Sequence, residues 1–234
     1  MAVLVLVHGG WTGSHGFRHV RRRLQERGHE VFTPSLTGIG ERVHLASPQV
    51  GLTTHVQDVV NCLDFEDLRD VILLGFSYGG FVVTGAVEHA AMRVRELVYL
   101  DAFVPASGDS VSSLAGRASS AVQHLSQDWL IPPLPRQFDD PDEAAWQNER
   151  RVPHPARCFA EPVQLSTPLE DHPFGLTYIK ATADLRDAPG SQAFYTAADH
   201  ARTSTRWRYR EINTTHMVAS NRPDELTNIL LELT

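Results

Sequence analysis

The chain has 234 residues, 42% of them apolar and 21% charged, with a formal net charge of −7. That length suits one α/β domain carrying an insertion, the apolar share excludes a disordered or fibrous chain, and the acidic balance disfavours a nucleic-acid partner, which would need a Lys/Arg-rich face to neutralise phosphates. Cys62 and Cys158 are too few and too far apart in sequence for a disulfide framework or a zinc ligand set. The apolar start has no basic leader region and nothing reaches the length of a membrane span, so the expectation is a cytoplasmic protein with no membrane partner.

In chain order, residues 3–7 form a continuous β-branched and apolar run, the pattern of a parallel strand covered on both faces. Residues 17–28 read as an amphipathic helix ended by glycine, whose arginines at 18, 21, 22, 23 and 27 form a solvated face. A short strand over 30–33 stops at Pro34. Thr53 or Thr54 caps a helix reaching about residue 63, and 70–74 is another buried strand. A glycine-rich turn over 75–80 leads into a helix to about residue 89, and 96–100 is the next strand. From 102 to 175 the periodicity breaks, with prolines at 132, 133, 135, 153 and 155 preventing a long helix. This segment is expected to be a lid inserted between core residues 1–101 and 176–234. Strand, helix, strand and helix then follow at 177–181, 191–201, 206–211 and 223–231. Such alternation predicts an α/β fold with a mostly parallel sheet of about six strands flanked by helices.

Gly75-Phe76-Ser77-Tyr78-Gly79 fits G-x-S-x-G between a predicted strand and a predicted helix, the context that makes this short pattern informative. The glycines let the helix pack close to the strand around a strained turn, which raises the Ser77 hydroxyl at the sheet's carboxyl edge, near the helix dipole. A nucleotide-binding turn is the competing reading, but neither G-x-G-x-x-G nor a Walker lysine accompanies it.

A serine hydroxyl is a poor nucleophile at neutral pH and needs a base. His216 lies between the last predicted strand and the last helix, on a loop that returns over the sheet edge; His200 is the other late histidine. The imidazole in turn needs an acid to accept its N–H and fix its tautomer. Asp184, just past the strand over 177–181, is the preferred acid, with Asp187 and Asp101 as competitors. Two N–H donors for an oxyanion are expected from the backbones of Tyr78, after the nucleophile, and Gly10, in the loop after the first strand. His8, His15 and His19 lack metal-ligand spacing, so neither a metal nor another cofactor is expected.

With these residues in place, the chain resembles the small α/β-hydrolases that include plant methylesterases, hydroxynitrile lyases and bacterial carboxylesterases related to pyrethroid hydrolases. The resemblance runs through Val5-Leu6-Val7-His8-Gly9-Gly10-Trp11, the stretch 37–58, Ser77-Tyr78-Gly79-Gly80, Val98-Tyr99-Leu100-Asp101-Ala102-Phe103-Val104-Pro105 and Tyr178-Ile179-Lys180-Ala181-Thr182-Ala183-Asp184. It implies an α/β-hydrolase fold and a triad acid at the position of Asp184. Two departures stand out. Phe76 occupies a place where the family commonly has histidine. Gly9 and Met217 stand where the lyases carry threonine and lysine, so cyanohydrin cleavage is disfavoured, because a thioether cannot stabilise cyanide.

The expectation is therefore a serine hydrolase that cleaves a small carboxylic ester through a Ser77 acyl-enzyme, its partner a small-molecule ester or thioester. Thioester cleavage or acyl transfer to a non-water nucleophile keeps the same chemistry, whereas a non-catalytic receptor on this fold would have no need of all three triad residues. Trp129, Phe138, Trp146 and Phe159 of the lid, with Trp11 and Phe76, are candidate pocket walls, but each is better explained individually as core packing and none is assigned to binding. A homodimer is left open by the sequence.

Overall fold

The computed structural model describes residues 1–115, 129–186 and 190–234. Strand β1 (Val3–Val7) leads to α1 (Arg18–Glu26), β2 (Glu30–Phe32), α2 (Leu52–Phe65), β3 (Val71–Phe76), α3 (Gly79–Ala90) and β4 (Val94–Leu100). The chain then departs through β5 (Leu130–Ile131), α4 (Pro141–Asn148) and β6 (His154–Pro155). It returns as β7 (Gly175–Ala181), α5 (Gln192–Thr203), β8 (Trp207–Ile212) and α6 (Pro223–Leu231). Six strands pair in the order β2-β1-β3-β4-β7-β8, every neighbouring pair parallel. Among the described residues no helix is long and apolar enough to cross a membrane.

Because side chains alternate across a strand, the apolar runs of the central strands feed two cores. On one face Leu4, Leu6, Ile72, Leu74, Val98 and Leu100 pack with Val20 and Leu24 of α1 and Leu226 and Leu230 of α6. On the other, Val5, Leu73, Leu97 and Tyr99 pack with Val59 and Leu63 of α2 and Phe81 and Val82 of α3. Each buried Leu or Val contributes about 1.5–3 kcal/mol relative to exposure, so the sheet is held from both sides. Toward the edge, the buried Glu96 of β4 accepts from Thr177 Oγ1 at 2.5 Å and Arg208 Nη1 at 2.6 Å. This tie joins β4, β7 and β8, and so fixes the strand from which His216 is delivered.

The inserted segment contributes no strand to this sheet among the described residues. Its β5 and β6 instead pair with each other antiparallel, Leu130 with Pro155 and Ile131 with His154. That two-residue ladder escaped the sequence reading because prolines dominate the stretch. Residues 116–128 of the expected lid lie outside the described residues.

Helix α3 meets β3 at close range. A Cβ at Gly75 would fall 2.6 Å from the Gly79 carbonyl oxygen, and one at Gly79 would fall 2.7 Å from that of Val7. Backbone sits where a side chain would be, as the motif glycines implied. Gly79→Ala is accordingly expected to destabilise the fold by about 1–3 kcal/mol, the usual cost of overpacking, and to lower Tm by several degrees in a thermal melt. An unchanged Tm would contradict this packing.

Candidate active site

The carboxyl ends of β1, β3, β4, β7 and β8 converge on one point. Ser77 occupies the turn between β3 and α3 with φ +55°, a left-handed conformation that a non-glycine residue adopts only when its surroundings impose it. Those surroundings are hydrogen bonds: Ser77 N–H donates to Leu100 O at 3.2 Å, and Ser77 O accepts from Gly80 N at 3.1 Å and Phe103 N at 3.3 Å. Two further residues near this point have positive φ, Trp11 at 63° and Asp101 at 39°. Strain is thus concentrated at the strand ends that build the site.

His216 reaches Ser77 as expected, its Nε2 2.9 Å from Ser77 Oγ. Its ring lies between Phe194, stacked at 5.1 Å, and Phe76, tilted at 4.7 Å. Phe76, a departure from the family pattern, therefore serves as one side of an aromatic clamp on the imidazole.

The carboxylate that meets the imidazole is not the expected one. His216 Nδ1 is 2.6 Å from Asp101 Oδ2, whereas Asp184 Oδ2 accepts the backbone N–H of His216 at 2.8 Å. The reason lies in how the loops join. Thr182 N–H donates to Ile212 O at 3.1 Å and Ala183 N–H to Thr214 O at 2.9 Å, so the loop after β7 runs alongside the loop after β8 and presents Asp184 to backbone. Asp101, turned by its positive φ at the end of β4, faces the ring instead. Asp187, the other competitor, lies outside the described residues. Since a carboxylate only accepts, Nδ1 carries the proton and Nε2 is free to accept from Ser77 O–H.

Asp101 is itself anchored by a residue that the sequence reading did not single out. Lys180 Nζ donates to Asp101 Oδ1 at 2.6 Å and to Ala181 O at 2.6 Å, with both charged side chains almost fully buried. Lys180 also lies 4.1 Å from the centre of the Tyr195 ring, and Tyr195 O–H donates to Asp184 O at 2.6 Å. Burial is the largest influence on Asp101 and raises its pKa, but His216 and then Lys180 outweigh it and hold the carboxyl below its ordinary value. For His216, burial dominates and lowers the pKa below 6.5 despite the opposing hydrogen bond to Asp101. Lys180 interrupts an otherwise uncharged strand, but only the pairing of β4 with β7 shows which acid it meets.

The loop after β1 is held by the inserted segment. Trp11 N–H donates to His154 Nδ1 at 3.3 Å, Trp11 Nε1–H to Ile131 O at 2.9 Å, and Val152 N–H to Trp11 O at 3.0 Å. Trp11 N–H is thereby occupied. Among the described residues the neighbouring Gly10 N–H and the Tyr78 N–H have no acceptor.

Beneath Tyr78, the potential ligand atoms of His55, His154 and Cys158 lie within 4.8 Å of one another, all three residues buried. Their hydrogen bonds set the tautomers. His55 Nε2–H donates to Thr37 O at 2.8 Å, leaving Nδ1 to accept from Tyr78 O–H at 2.9 Å, and His154 Nδ1 accepts from Trp11. Burial lowers the pKa of both rings, that of His55 to about 4. They are neutral braces for Tyr78 and Trp11 with their lone pairs already engaged. His8 is engaged likewise, between Gly9 O and Leu36 N–H.

Above Ser77 opens a cavity of about 90 Å³ walled by Trp11, Tyr78, Phe103, Phe159 and Phe194. Of the candidate wall residues, Trp11 and Phe159 line this cavity, and Phe76 and Trp11 line a second, smaller one. Trp146 instead packs under the Arg18 and Arg150 guanidinium groups, and Trp129 is exposed.

A family model described as the alpha/beta hydrolase family matches residues 4–229. The chain is similar to a carbendazim hydrolyzing esterase of Nocardioides sp., 39% identical over 183 residues that cover 71% of this chain and 74% of the relative. A pyrethroid hydrolase of Sphingobium wenxiniae is 31% identical over 107 residues, 45% of this chain and 37% of that one. An extracellular α/β-hydrolase from a Paenibacillus species superimposes with a TM-score of 0.82 at 23% identity, covering 99% of this chain and 98% of its own, an agreement of fold.

The short Nδ1 to Asp101 contact has a spectroscopic consequence. A proton held between nitrogen and carboxylate at 2.6 Å should resonate far downfield of the other imidazole protons. It should vanish in Asp101→Asn and persist in Asp184→Asn. Loss in the second variant with retention in the first would reverse the assignment.

Proposed function

Because the chain belongs to the alpha/beta hydrolase family and is a serine hydrolase of its carboxylesterase branch, we propose that Ser77 is the nucleophile, His216 the general base and Asp101 the acid that orients it. The observation that carries this reading is the unbroken relay of Ser77 Oγ, His216 Nε2, His216 Nδ1 and Asp101 Oδ2, at 2.9 and 2.6 Å.

Ser77 Oγ attacks the ester carbonyl while its proton passes to His216 Nε2, and the positive charge that develops on the ring is stabilised by Asp101. The carbonyl oxygen becomes an oxyanion that accepts from the N–H groups of Gly10 and Tyr78. Two facts support these donors: both are free among the described residues, and Trp11 N–H is taken by His154. Collapse of the tetrahedral intermediate expels the alcohol, which takes the proton from Nε2 and leaves an ester on Ser77. Water then repeats the sequence, giving up its proton to His216 and releasing the carboxylic acid. In this reading Asp184 is a positioning residue that secures the His216 backbone. The apolar and aromatic cavity suits a small ester whose acyl part is apolar or aromatic. Cys62 and Cys158 are free thiols, in keeping with the reducing cytoplasm that we take as its location.

A fluorophosphonate probe should label Ser77 stoichiometrically, as read by intact mass and peptide mapping, and Ser77→Ala should lose both the label and a factor on the order of 10⁴ or more in kcat on an activated ester. Labelling elsewhere, or near-native turnover by that variant, would sink the proposal.

The pH profile supplies an independent check. Catalysis requires neutral His216, and a pKa lowered below 6.5 keeps the ring neutral as pH falls through that value. The acid limb of log kcat/KM should therefore lie below pH 6.5; a limb centred above it would contradict the burial argument.

A further inference from the structure

A second cavity opens beside Ser77, and Asp184 is not among its lining residues. It measures about 10 Å³, roughly the room for one water molecule, and is bounded by Gly10, Thr12, Ser77, Arg136, Arg151 and Met217. It shares Trp11, Ser77, Arg136 and His216 with the larger cavity, so one ligand can occupy both. Its occupant is a small head group rather than a ring.

The charges around this small cavity lack close partners. Several partly buried arginines elsewhere are matched by carboxylates, Arg18 by Glu143, Arg93 by Asp64 and Asp67, and Arg206 is held by the carbonyls of Glu170, His172 and Phe174. Among the described residues Arg136 and Arg151 have no ion-pair partner. The one side-chain hydrogen bond of Arg136 is a long one, 3.4 Å, to the carbonyl of Pro135. Asp184 and Asp101 act on Arg136 without a direct ion pair, Asp184 accepting the His216 backbone N–H and Asp101 being held by the His216 ring and Lys180. Burial, and then the charge of Arg136, lower the Arg151 pKa to about 10, still well above neutrality. Two like charges held partly out of water without a direct ion pair are costly, and guanidinium groups are suited to grip a carboxylate through paired N–H donors.

We propose that Arg136 and Arg151 form a carboxylate-binding subsite beside the nucleophile, and that the preferred substrates are esters bearing a free carboxylate elsewhere in the molecule. The proposal rests on the serine hydrolase reading. It makes the small cavity the place for one carboxylate oxygen, beside Arg136 at the junction of the two cavities, and the aromatic cavity the place for the substrate's apolar body. The carboxylate can sit on the acyl chain or on the alcohol, and the two sources are separable.

Two substrate pairs make the test: 4-nitrophenyl hydrogen glutarate against its terminal amide for the acyl side, and 3-acetoxybenzoate against 3-acetoxybenzamide for the alcohol side. The wild-type enzyme should favour the carboxylate member of at least one pair by about tenfold or more in kcat/KM, the scale of a charged hydrogen bond. In Arg136→Gln and Arg151→Gln that preference should fall about tenfold through KM, and Arg136→Lys should restore part of it. A wild-type enzyme that turns over the amides yet shows no carboxylate preference in either pair overturns the subsite. Gln variants that keep the wild-type preference overturn it too. Failure of the underlying reading looks different, since the wild-type enzyme would then hydrolyse none of the four esters and escape the fluorophosphonate probe. Calorimetry on Ser77→Ala reads the same subsite without turnover: glutarate should bind more tightly than glutaramide, and the difference should disappear when Arg151→Gln is added.

Discussion

Asp101 carries a charge into the interior of the protein, and the groups that compensate it define the site. One carboxylate oxygen meets Lys180, the other meets His216. The lysine matters because a lone buried carboxylate would gain a proton rather than remain charged. With Lys180 present, Asp101 stays ionised before any reaction begins and can receive the imidazole N–H. Removing one partner from such a buried pair typically costs about 3–5 kcal/mol, so the pair binds β4 to β7 as firmly as it orients the base.

Around that pair the scaffold imposes positions that the local chain resists. Ser77, Asp101 and Trp11 all hold positive φ, and each is surrounded by hydrogen bonds that oblige it to do so. The imidazole is clamped between Phe76 and Phe194, while Asp184 grips the backbone of the same residue. Three neutral histidines, His8, His55 and His154, fix the loops around Trp11, Leu36 and Tyr78. Most of the polar groups near the nucleophile are therefore already in place, which is how a site favours a transition state without reorganising at the moment of reaction.

Much of this was legible in the sequence. The apolar runs read as strands over 3–7 and 70–74, which form β1 and β3, alternate with amphipathic helices, so they declare a parallel sheet from composition and period alone. Motif and loop position single out Ser77 and His216, the proposed nucleophile and base, whose side chains meet in the structure. The acid was harder because chain order places both Asp101 and Asp184 at strand ends, and the resemblance favoured the later one. What separates them is the backbone zipper between residues 182–183 and 212–214, together with the charge of Lys180 brought alongside by strand pairing. Neither has a local sequence signature. The β5–β6 ladder was hidden for a related reason, since a two-residue pairing between proline-rich stretches has no period to detect.

The central claim, that the Asp101 carboxylate rather than that of Asp184 sustains the base, is tested most directly by steady-state kinetics of the two Asn variants on one activated ester. Asn in place of the orienting acid preserves shape but permits the wrong tautomer, and in a serine-protease triad it lowers kcat by about 10⁴. The account expects Asp101→Asn to lose roughly 10³ to 10⁴ in kcat, and Asp184→Asn, which weakens only a bond to the His216 backbone, to stay within about tenfold of wild type. A crippled Asp184→Asn enzyme beside an active Asp101→Asn enzyme would contradict it.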